Sequence, residues 1–224
     1  MLAAVTAPTT FRDGADALTL LVLLTEFAML RSSLSRSQVR LYAFQSLVVT
    51  ALAALVAARH GLGDLYVIAA LTLVLKVVLV PWIILRVLRD AGTEVAGSHR
   101  LGVATMVLIA LAVSIFGFFT IGSMPFHSSS LPTPALGLSV AEILVAFMIV
   151  VLRADVVSQA AGFFSLENGV SVVSLVVASG LPLVVETAFL FDLVVAVVVF
   201  GILMRVHHRR TDTLSTGVLD RLRG

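Results

Sequence analysis

The sequence predicts an all-α, polytopic membrane protein with about seven transmembrane helices. The 224-residue chain is 59% hydrophobic and only 12% charged, and its mean hydropathy is +1.11. A soluble domain is about half apolar and a quarter charged, so it could not bury this much apolar surface. The apolar residues fall in runs of roughly 17 to 24, the length at which a helix crosses about 30 Å of hydrocarbon. A membrane barrel is not favoured, because the apolar and polar residues do not alternate.

Seven apolar runs are the predicted spans, in order along the chain. They are residues 15–30, 41–58, 62–85, 101–121, 136–152, 160–180 and 182–204. The first run is predicted to be a retained span, because the amino terminus lacks the basic start of a secretory signal. The last two runs form one stretch that is too long for a single crossing. Gly180 predicts a helix stop there and Pro182 a new first turn, so we expect a tight hairpin.

The loop cations predict the orientation of these spans, because cytoplasmic loops are enriched in Lys and Arg. The first, third and fifth loops and the tail together carry twelve arginines, whereas the opposite side keeps only Arg12 and Arg59. We therefore predict an outer amino terminus and a cytoplasmic carboxyl terminus. The predicted organisation is a three-helix segment at 1–100, a fourth span with an outer loop at 101–135, a second three-helix segment at 136–210 and a tail at 211–224.

Several functional classes are excluded by composition. The chain has no cysteine, which excludes disulfides, thiolate metal sites and iron–sulfur ligation. All five histidines fall in predicted loops or the tail, whereas a transmembrane haem requires ligands within helices. The basic pI of about 9.7 is explained by loop cations beside apolar segments, and not by nucleic-acid binding. We therefore predict no cofactor, no metal and no nucleic-acid partner, with the lipid bilayer as the surroundings.

Six of the charged residues that lie within the predicted spans form the candidate site. They are Glu26, Lys76, Glu142, Glu167, Glu186 and Asp192. Placing one Asp or Lys at the centre of a span costs about 2.5 to 3.5 kcal/mol on insertion scales, so such residues usually serve a purpose. Proton conduction needs titratable groups of this kind, spaced for water to bridge them. The sequence therefore predicts a proton path.

Structural explanations remain open for the charges near helix ends. Glu26 lies about one turn before Arg31 and could pair with it. Glu142 and Glu186 are about 8 Å from the outer ends of their predicted helices, where snorkelling or an interhelical hydrogen bond would suffice.

The three remaining charges are farther from any helix end. Lys76 and Asp192 are near the predicted middle of the membrane, and Glu167 continues into a polar stripe with Ser171 and Ser174. The structural alternative is an ion pair between Lys76 and Asp192 that fixes helix packing without moving protons. We expect Glu167 and Asp192 to face one polar cavity, with Lys76 close to it.

A weak internal similarity also favours a parallel repeat of the first and last three spans. Each triplet ends in arginine, and each middle span carries polar residues after aromatic ones, at 42–45 (YAFQ) and 163–167 (FFSLE). Chance similarity between aliphatic helices explains the pattern equally well.

The chain resembles a known family along its whole length. The stretch 163–169 (FFSLENG), the turn at Gly180 and Pro182, and then Glu186 and Asp192 before a basic tail resemble the component E membrane subunit of group 4 nickel–iron hydrogenases, including formate hydrogenlyases. The resemblance is specific from about Arg153 onward. It implies a subunit of an oxidoreductase complex in the cytoplasmic (cell inner) membrane, without a catalytic centre of its own. Its partners would be antiporter-like and other membrane subunits and a soluble hydrogenase-type arm.

Through that family, the last three spans resemble the three-helix subunit K (chain 4L) of respiratory complex I. That subunit carries a glutamate on its second and on its third helix, and Glu167 matches the first of these. Either Glu186 or Asp192 replaces the second, and the distance from the basic tail favours Asp192. The resemblance implies a part in proton translocation.

A structural scaffold and a cation/proton antiporter subunit remain the alternatives. An autonomous transporter is favoured by the possible repeat, but transporters usually have broken helices and the predicted spans are uninterrupted.

Overall fold

The structure, a computed structural model, describes residues 9–91, 101–122, 133–177, 197–198 and 200–201. These residues are almost entirely helical. The elements are α1 (Thr9–Arg31), α2 (Ser35–His60), α3 (Gly63–Thr72), a π-helical segment (Leu73–Leu79), α4 (Val80–Ala91), α5 (Val103–Gly122), α6 (Thr133–Leu152) and α7 (Val156–Val177). The all-helical class predicted from the sequence is therefore confirmed.

Among the residues that the structure describes, five helical stretches are long and apolar enough to cross a membrane. They are Ser35–His60, Gly63–Arg89, Val103–Ile121, Pro134–Leu152 and Val156–Val177. α1 is 23 residues long, but it carries five charged side chains and does not meet the same criterion. Most of the seventh predicted span, with Glu186 and Asp192, lies outside the described residues, as does the hairpin at Gly180. The count of seven spans and the orientation remain predictions.

The third span changes from α-helical to π-helical geometry at its centre, in the π-helical segment. The N–H of Val80 bonds to the carbonyl of Leu75, five residues earlier instead of four. Pro81 follows directly, and a proline inside a helix removes a backbone donor and collides with the carbonyl four residues back. A wider preceding turn relieves that clash. The third span is thus one continuous helix that is not α-helical throughout, and Lys76 lies within its π-helical segment.

α7 packs against both α6 and α2. Two glycines of α7 allow the close approach to α6. A Cβ at Gly169 would lie 2.7 Å from Ile143 Cγ1, and one at Gly162 would lie 3.1 Å from the carbonyl oxygen of Ala146. Small residues let membrane helices pack at short distance, since lipid provides no hydrophobic force between helices.

Arg153 fixes the turn between α6 and α7 onto the end of α1. Its guanidinium is fully buried, and Nη2 donates to the carbonyls of Met29 (3.2 Å), Leu30 (2.8 Å) and Ser32 (2.7 Å). The last carbonyls of a helix lack intrahelical partners and carry the negative end of its dipole, so a cation stabilises them. Burial lowers the pKa of Arg153, and the neighbouring Asp155 carboxylate opposes that shift. The first and fifth loops therefore lie at the same end of the bundle.

Two further side chains complete this contact, which we call the Arg153 junction. Asp155 Oδ1 accepts the backbone N–H of Ser158 at 2.8 Å and so caps the first turn of α7. The Ser158 hydroxyl donates to Gln38 Oε1 at 2.7 Å, and Gln38 Nε2 donates to the carbonyl of Ser32 at 2.9 Å. The sequence had assigned Arg153 only a role in topology, whereas the structure gives it a role in packing.

The apolar core is divided into two clusters. One contains Leu30, Tyr42, Leu88 and Phe164, and the other contains Leu52, Leu65, Val172 and Leu175. On α2 and α7 the polar residues at 45–46 and 165–169 fall between the members of these two clusters. The fold therefore holds a polar layer between two apolar ones.

Candidate functional site

Eight buried polar residues from five elements form the central polar layer. They are Glu26 on α1, Gln45 and Ser46 on α2, Lys76 in the π-helical segment, Glu142 on α6, and Ser165, Glu167 and Asn168 on α7. Seven of them are at most 2% exposed, and Glu167 is 11% exposed. Glu167 lies eleven residues after the start of α7, which corresponds to about 17 Å of helix. The layer therefore occupies the interior of the bundle.

Lys76 and Glu167 form a buried ion pair. Lys76 Nζ lies 3.1 Å from Glu167 Oε1 and donates to Asn168 Oδ1 at 3.3 Å. A lone charge at this depth would be costly, and an opposite charge in contact offsets part of that cost. The structure therefore brings together two residues of the predicted site. The predicted pair of Lys76 with Asp192 is not tested, because Asp192 lies outside the described residues.

Glu26 belongs to a cluster with Gln45 and Ser165. Gln45 Nε2 donates to Glu26 Oε2 at 2.7 Å, and Ser165 Oγ is hydrogen-bonded to the same carboxyl oxygen. The Ser165 hydroxyl also lies 2.8 Å from Gln45 Oε1. Glu26 therefore faces the interior, and the alternative pair with Arg31 does not describe its surroundings.

The Ser165 hydroxyl carries one proton, so it can donate to Glu26 or to Gln45 but not to both. If it donates to Gln45, the contact with Glu26 requires a proton on the Glu26 carboxyl. If Glu26 is ionised, the hydroxyl proton turns to the carboxylate. This small cluster thus accommodates either protonation state of Glu26 through one hydroxyl rotation.

Asn168 joins the Glu26 cluster to the ion pair. Its Nδ2 donates to Gln45 Oε1 at 3.1 Å and to Ser46 Oγ at 2.9 Å, while its Oδ1 accepts from Lys76. Hydrogen bonds therefore run without a break from Glu26 through Gln45 and Asn168 to Lys76 and Glu167.

Glu142 lies beside this network and is completely buried. Neither carboxyl oxygen has a hydrogen-bond partner among the residues that the structure describes. A Cβ at Gly169 would lie 3.4 Å from Glu142 Cδ, and Glu26 and Lys76 are the charged groups that act on it electrostatically. α6 begins at Thr133 and not at residue 136, so Glu142 is about 14 Å from that end. Snorkelling therefore does not explain this residue.

A cavity of about 30 Å³ adjoins the ion pair on one side. Its polar lining consists of Lys76 and Glu167 together with the hydroxyl-bearing residues Thr72, Ser171 and Ser174, and apolar residues of α2, α3 and α7 complete the wall. Ser171 donates to the carbonyl of Glu167 at 2.9 Å. Within the described ranges, no three His, Asp or Glu side chains converge as metal ligands.

The sequence identified the charged members of the layer but missed its uncharged polar members. Gln45, Ser165 and Asn168 had been noticed only as parts of the stretches YAFQ and FFSLENG. The signal was an amide side chain in the middle of an apolar run. A buried amide needs a hydrogen-bond partner, just as a buried charge does. The two stretches are in direct contact, because the Tyr42 and Phe164 rings lie 5.7 Å apart.

Five of the seven positions of FFSLENG have a structural reason. Phe164 is buried against Tyr42, Ser165 and Asn168 face α2, and Glu167 faces Lys76. The glycine that ends the stretch permits the contact with α6. The motif on which the family resemblance depends is therefore also the centre of the candidate site.

Several known proteins are similar in sequence to this chain over most of its length. The chain is 26% identical over 204 residues to hydrogenase-4 component E of Escherichia coli K12, which covers 91% of this chain and 94% of that protein. The same figures hold for hydrogenase-4 component E of Shigella flexneri. An uncharacterized protein of Mycobacterium tuberculosis is 28% identical over 169 residues, covering 75% of this chain and 77% of the relative.

No family model and no solved structure matches the chain. The inferred resemblance to the component E subunit is nevertheless confirmed by the curated relatives, whereas the resemblance to subunit K stays a prediction. The helices described above agree with a membrane protein. This chain is a membrane protein that is similar to hydrogenase-4 component E over about nine tenths of its length.

Proposed function

We propose that this chain is a non-catalytic membrane subunit of a hydrogenase-type, complex I-related respiratory complex in the cytoplasmic membrane. In this proposal its intramembrane charges take part in proton translocation that is coupled to electron transfer in partner subunits. The similarity to hydrogenase-4 component E supports the assembly part of the proposal. The central polar layer supports the proton part.

The observation that carries the proposal is the unbroken line of hydrogen bonds from Glu26 to the Lys76–Glu167 pair. A proton path needs titratable groups that are held in a connected polar network. The amides of Gln45 and Asn168 cannot pass a proton on, because their donor and acceptor atoms do not exchange, so they position the titratable groups while water carries the protons between them. Glu26 and Glu167 are the titratable ends, and the Ser165 hydroxyl can reorient as Glu26 gains or loses a proton. A line built only for packing would not need carboxylates at both ends.

Glu142 is proposed as an additional member of the relay, because it is buried beside Glu26 and Lys76 without a hydrogen-bond partner among the described residues. Such a group responds strongly to a change of charge nearby, since little water screens it. Asp192 and Glu186 stay in the proposal as the two candidates for the second glutamate of the subunit K resemblance. Both lie outside the described residues.

The experiment that tests the proposal is Glu167→Gln in the assembled complex, reconstituted in vesicles with a pH-sensitive dye. Glutamine keeps the size of the side chain but removes its titratable group. We expect normal assembly and measurable electron transfer, with fewer protons moved per electron pair.

Asp64→Asn is the matched control, because Asp64 is an exposed carboxylate at the start of α3 and lies outside the polar layer. It should move as many protons as the unaltered complex. Unchanged proton movement in Glu167→Gln and in Asp192→Asn would contradict the proposal and leave a structural scaffold as the function.

The scaffold is the second candidate, and the direct contact between Lys76 and Glu167 favours it. An ion pair that never separates would fix α7 against the third span without moving protons. The vesicle experiment distinguishes the two candidates, because a scaffold loses assembly or stability in Glu167→Gln and not the ratio of protons to electrons.

The proposed topology is seven spans with an outer amino terminus and a cytoplasmic tail. The Arg153 junction supports it, since it holds at one end the two loops that the cation pattern assigns to one side. Protease added to intact cells should leave the tail uncut and should cut it in inverted vesicles. Cutting in intact cells would contradict the orientation.

A further inference from the structure

We infer that water fills the cavity beside the ion pair, and that protons reach Lys76 and Glu167 through it from the end of the bundle where α2 ends and α3 begins. The inference rests on the proposed function and adds the route and its direction. It assigns a role to Thr72, Ser171 and Ser174, which neither the family resemblance nor the relay requires.

The position of the lining residues gives the direction. The lining on α7 runs from Glu167 to Leu175, a rise of about 12 Å that stops two residues before α7 ends at Val177. On the third span it runs from Lys76 back to Leu65, the third residue of α3. Among the described residues, the cavity therefore extends from the ion pair towards one end of the bundle.

The size and chemistry of the cavity favour water as its content. About 10 to 15 Å³ of such space is needed to hold one water molecule, so about 30 Å³ holds roughly two. Ser174 Oγ is buried and has no hydrogen-bond partner among the described residues. Ordered water is the usual partner of such a buried hydroxyl, and the Thr72 and Ser171 hydroxyls and the Glu167 carboxylate supply further contacts.

In the described part of the chain, aromatic rings pack on the opposite side of the ion pair. Tyr42 and Phe164 are fully buried with ring centroids 5.7 Å apart, and Phe200 lies 5.8 Å from Phe164. Phe164 directly precedes Ser165, so the rings lie on the side of the polar layer that faces the Arg153 junction. A path that is wet on one side and packed on the other keeps the two faces of the membrane from being connected through the cavity.

The test is hydroxyl-radical labelling of the complex in its membrane by a microsecond X-ray pulse, followed by mass spectrometry. Radicals form from water and oxidise the side chains that touch it. Leu65 and Leu175 line the cavity and are 6% and 3% exposed. Leu23 and Ile84 are the matched controls, because they are 8% and 4% exposed and belong to the described core without lining this cavity. We expect Leu65 and Leu175 to be labelled several-fold more than Leu23 and Ile84.

A paired substitution separates the route from the function. Ser174→Val fills the cavity with an isopropyl group, and Ser139→Val makes the same change at a buried serine of α6 outside it. We expect Ser174→Val to lose the labelling of Leu65 and Leu175 and to slow proton movement, with electron transfer retained. Ser139→Val should do neither.

Two results would overturn the inference. In the first, Leu65 and Leu175 are labelled no more than Leu23 and Ile84, which means that the cavity is dry. In the second, Ser174→Val loses the labelling but moves protons at the normal rate, which means that protons take another route. Neither result decides the proposed function, because that depends on the ratio of protons to electrons in Glu167→Gln.

Discussion

The Arg153 junction and the central polar layer are both buried and polar, but they satisfy their charges in different ways. At the junction, the Arg153 guanidinium binds three backbone carbonyls at the end of α1, and these acceptors are fixed by the helix. In the polar layer, Lys76 and Glu26 bind side chains, which can reorient and in part can titrate.

The difference teaches which buried charges fit a packing role and which fit a transport role. An arginine keeps its proton in a protein, and carbonyls of a helix end cannot accept one permanently. The junction can therefore fasten helices but cannot relay protons. The polar layer holds a lysine, three carboxylates and a rotatable serine hydroxyl, and two of these groups, Lys76 and Glu167, line a cavity. It can therefore both fasten helices and relay protons. Substitutions in the two regions should accordingly have different consequences.

Arg153→Met should give the largest loss of stability. It removes the guanidinium from the carbonyls of Met29, Leu30 and Ser32. Each hydrogen bond to a charged group contributes about 1.5 to 3 kcal/mol, so we expect a loss of roughly 4 kcal/mol. Unfolding by SDS in mixed micelles would measure it. Arg59→Met is the control, since Arg59 is exposed at the end of α2. An equal effect of the two substitutions would show that the junction does not hold α1.

Lys76→Met should destabilise the protein by about 3 kcal/mol, because it leaves the buried Glu167 carboxylate without its cation. The double variant Lys76→Met/Glu167→Gln should recover part of that loss, since no unpaired charge remains. The same unfolding measurement serves for both. A double variant that is less stable than Lys76→Met would mean that the ion pair is not the source of the effect.

Gly169→Ala should destabilise the protein by about 2 kcal/mol, within the usual range for overpacking. The added Cβ would lie 2.7 Å from Ile143 Cγ1 and 3.3 Å from its backbone nitrogen, so α6 and α7 must move apart. We expect proton movement to fall as well, because Asn168 and Glu167 shift with α7. At Gly63 a Cβ meets no atom within 4 Å, so Gly63→Ala is the control and should change neither property.

Ser158→Ala should have the smallest effect, a loss of about 1 kcal/mol for the hydrogen bond to Gln38. It should leave the number of protons moved per electron pair unchanged, because the junction contributes only to packing. Vesicle assays beside the unfolding measurement would check both statements. If Ser158→Ala assembled normally but moved fewer protons per electron pair, the Arg153 junction would not differ from the central polar layer in function.

Part of this picture could be predicted from the sequence because it depends on properties of single segments. The length and hydropathy of each apolar run predict a membrane helix whatever its neighbours are, and the charge of Glu26, Lys76, Glu142 and Glu167 within such runs is equally local. Pro81 is a local signal for the π-helical segment as well, but the sequence analysis did not use it. The stretch FFSLENG carried the family resemblance that the relatives confirm.

The choice of partners was decided only by the tertiary structure. Lys76 lies against Glu167, Asn168 connects Gln45 to Lys76, and Arg153 is buried on the end of α1. None of these contacts follows from hydropathy, because they depend on how far each helix is rotated and shifted against the next. Rotation and depth are set by side-chain fit, such as that of Gly169 on Ile143, between residues that are 26 positions apart in the chain. The composition of a segment is enough to predict a membrane helix, whereas the contacts of that helix are determined by the shapes of two surfaces together.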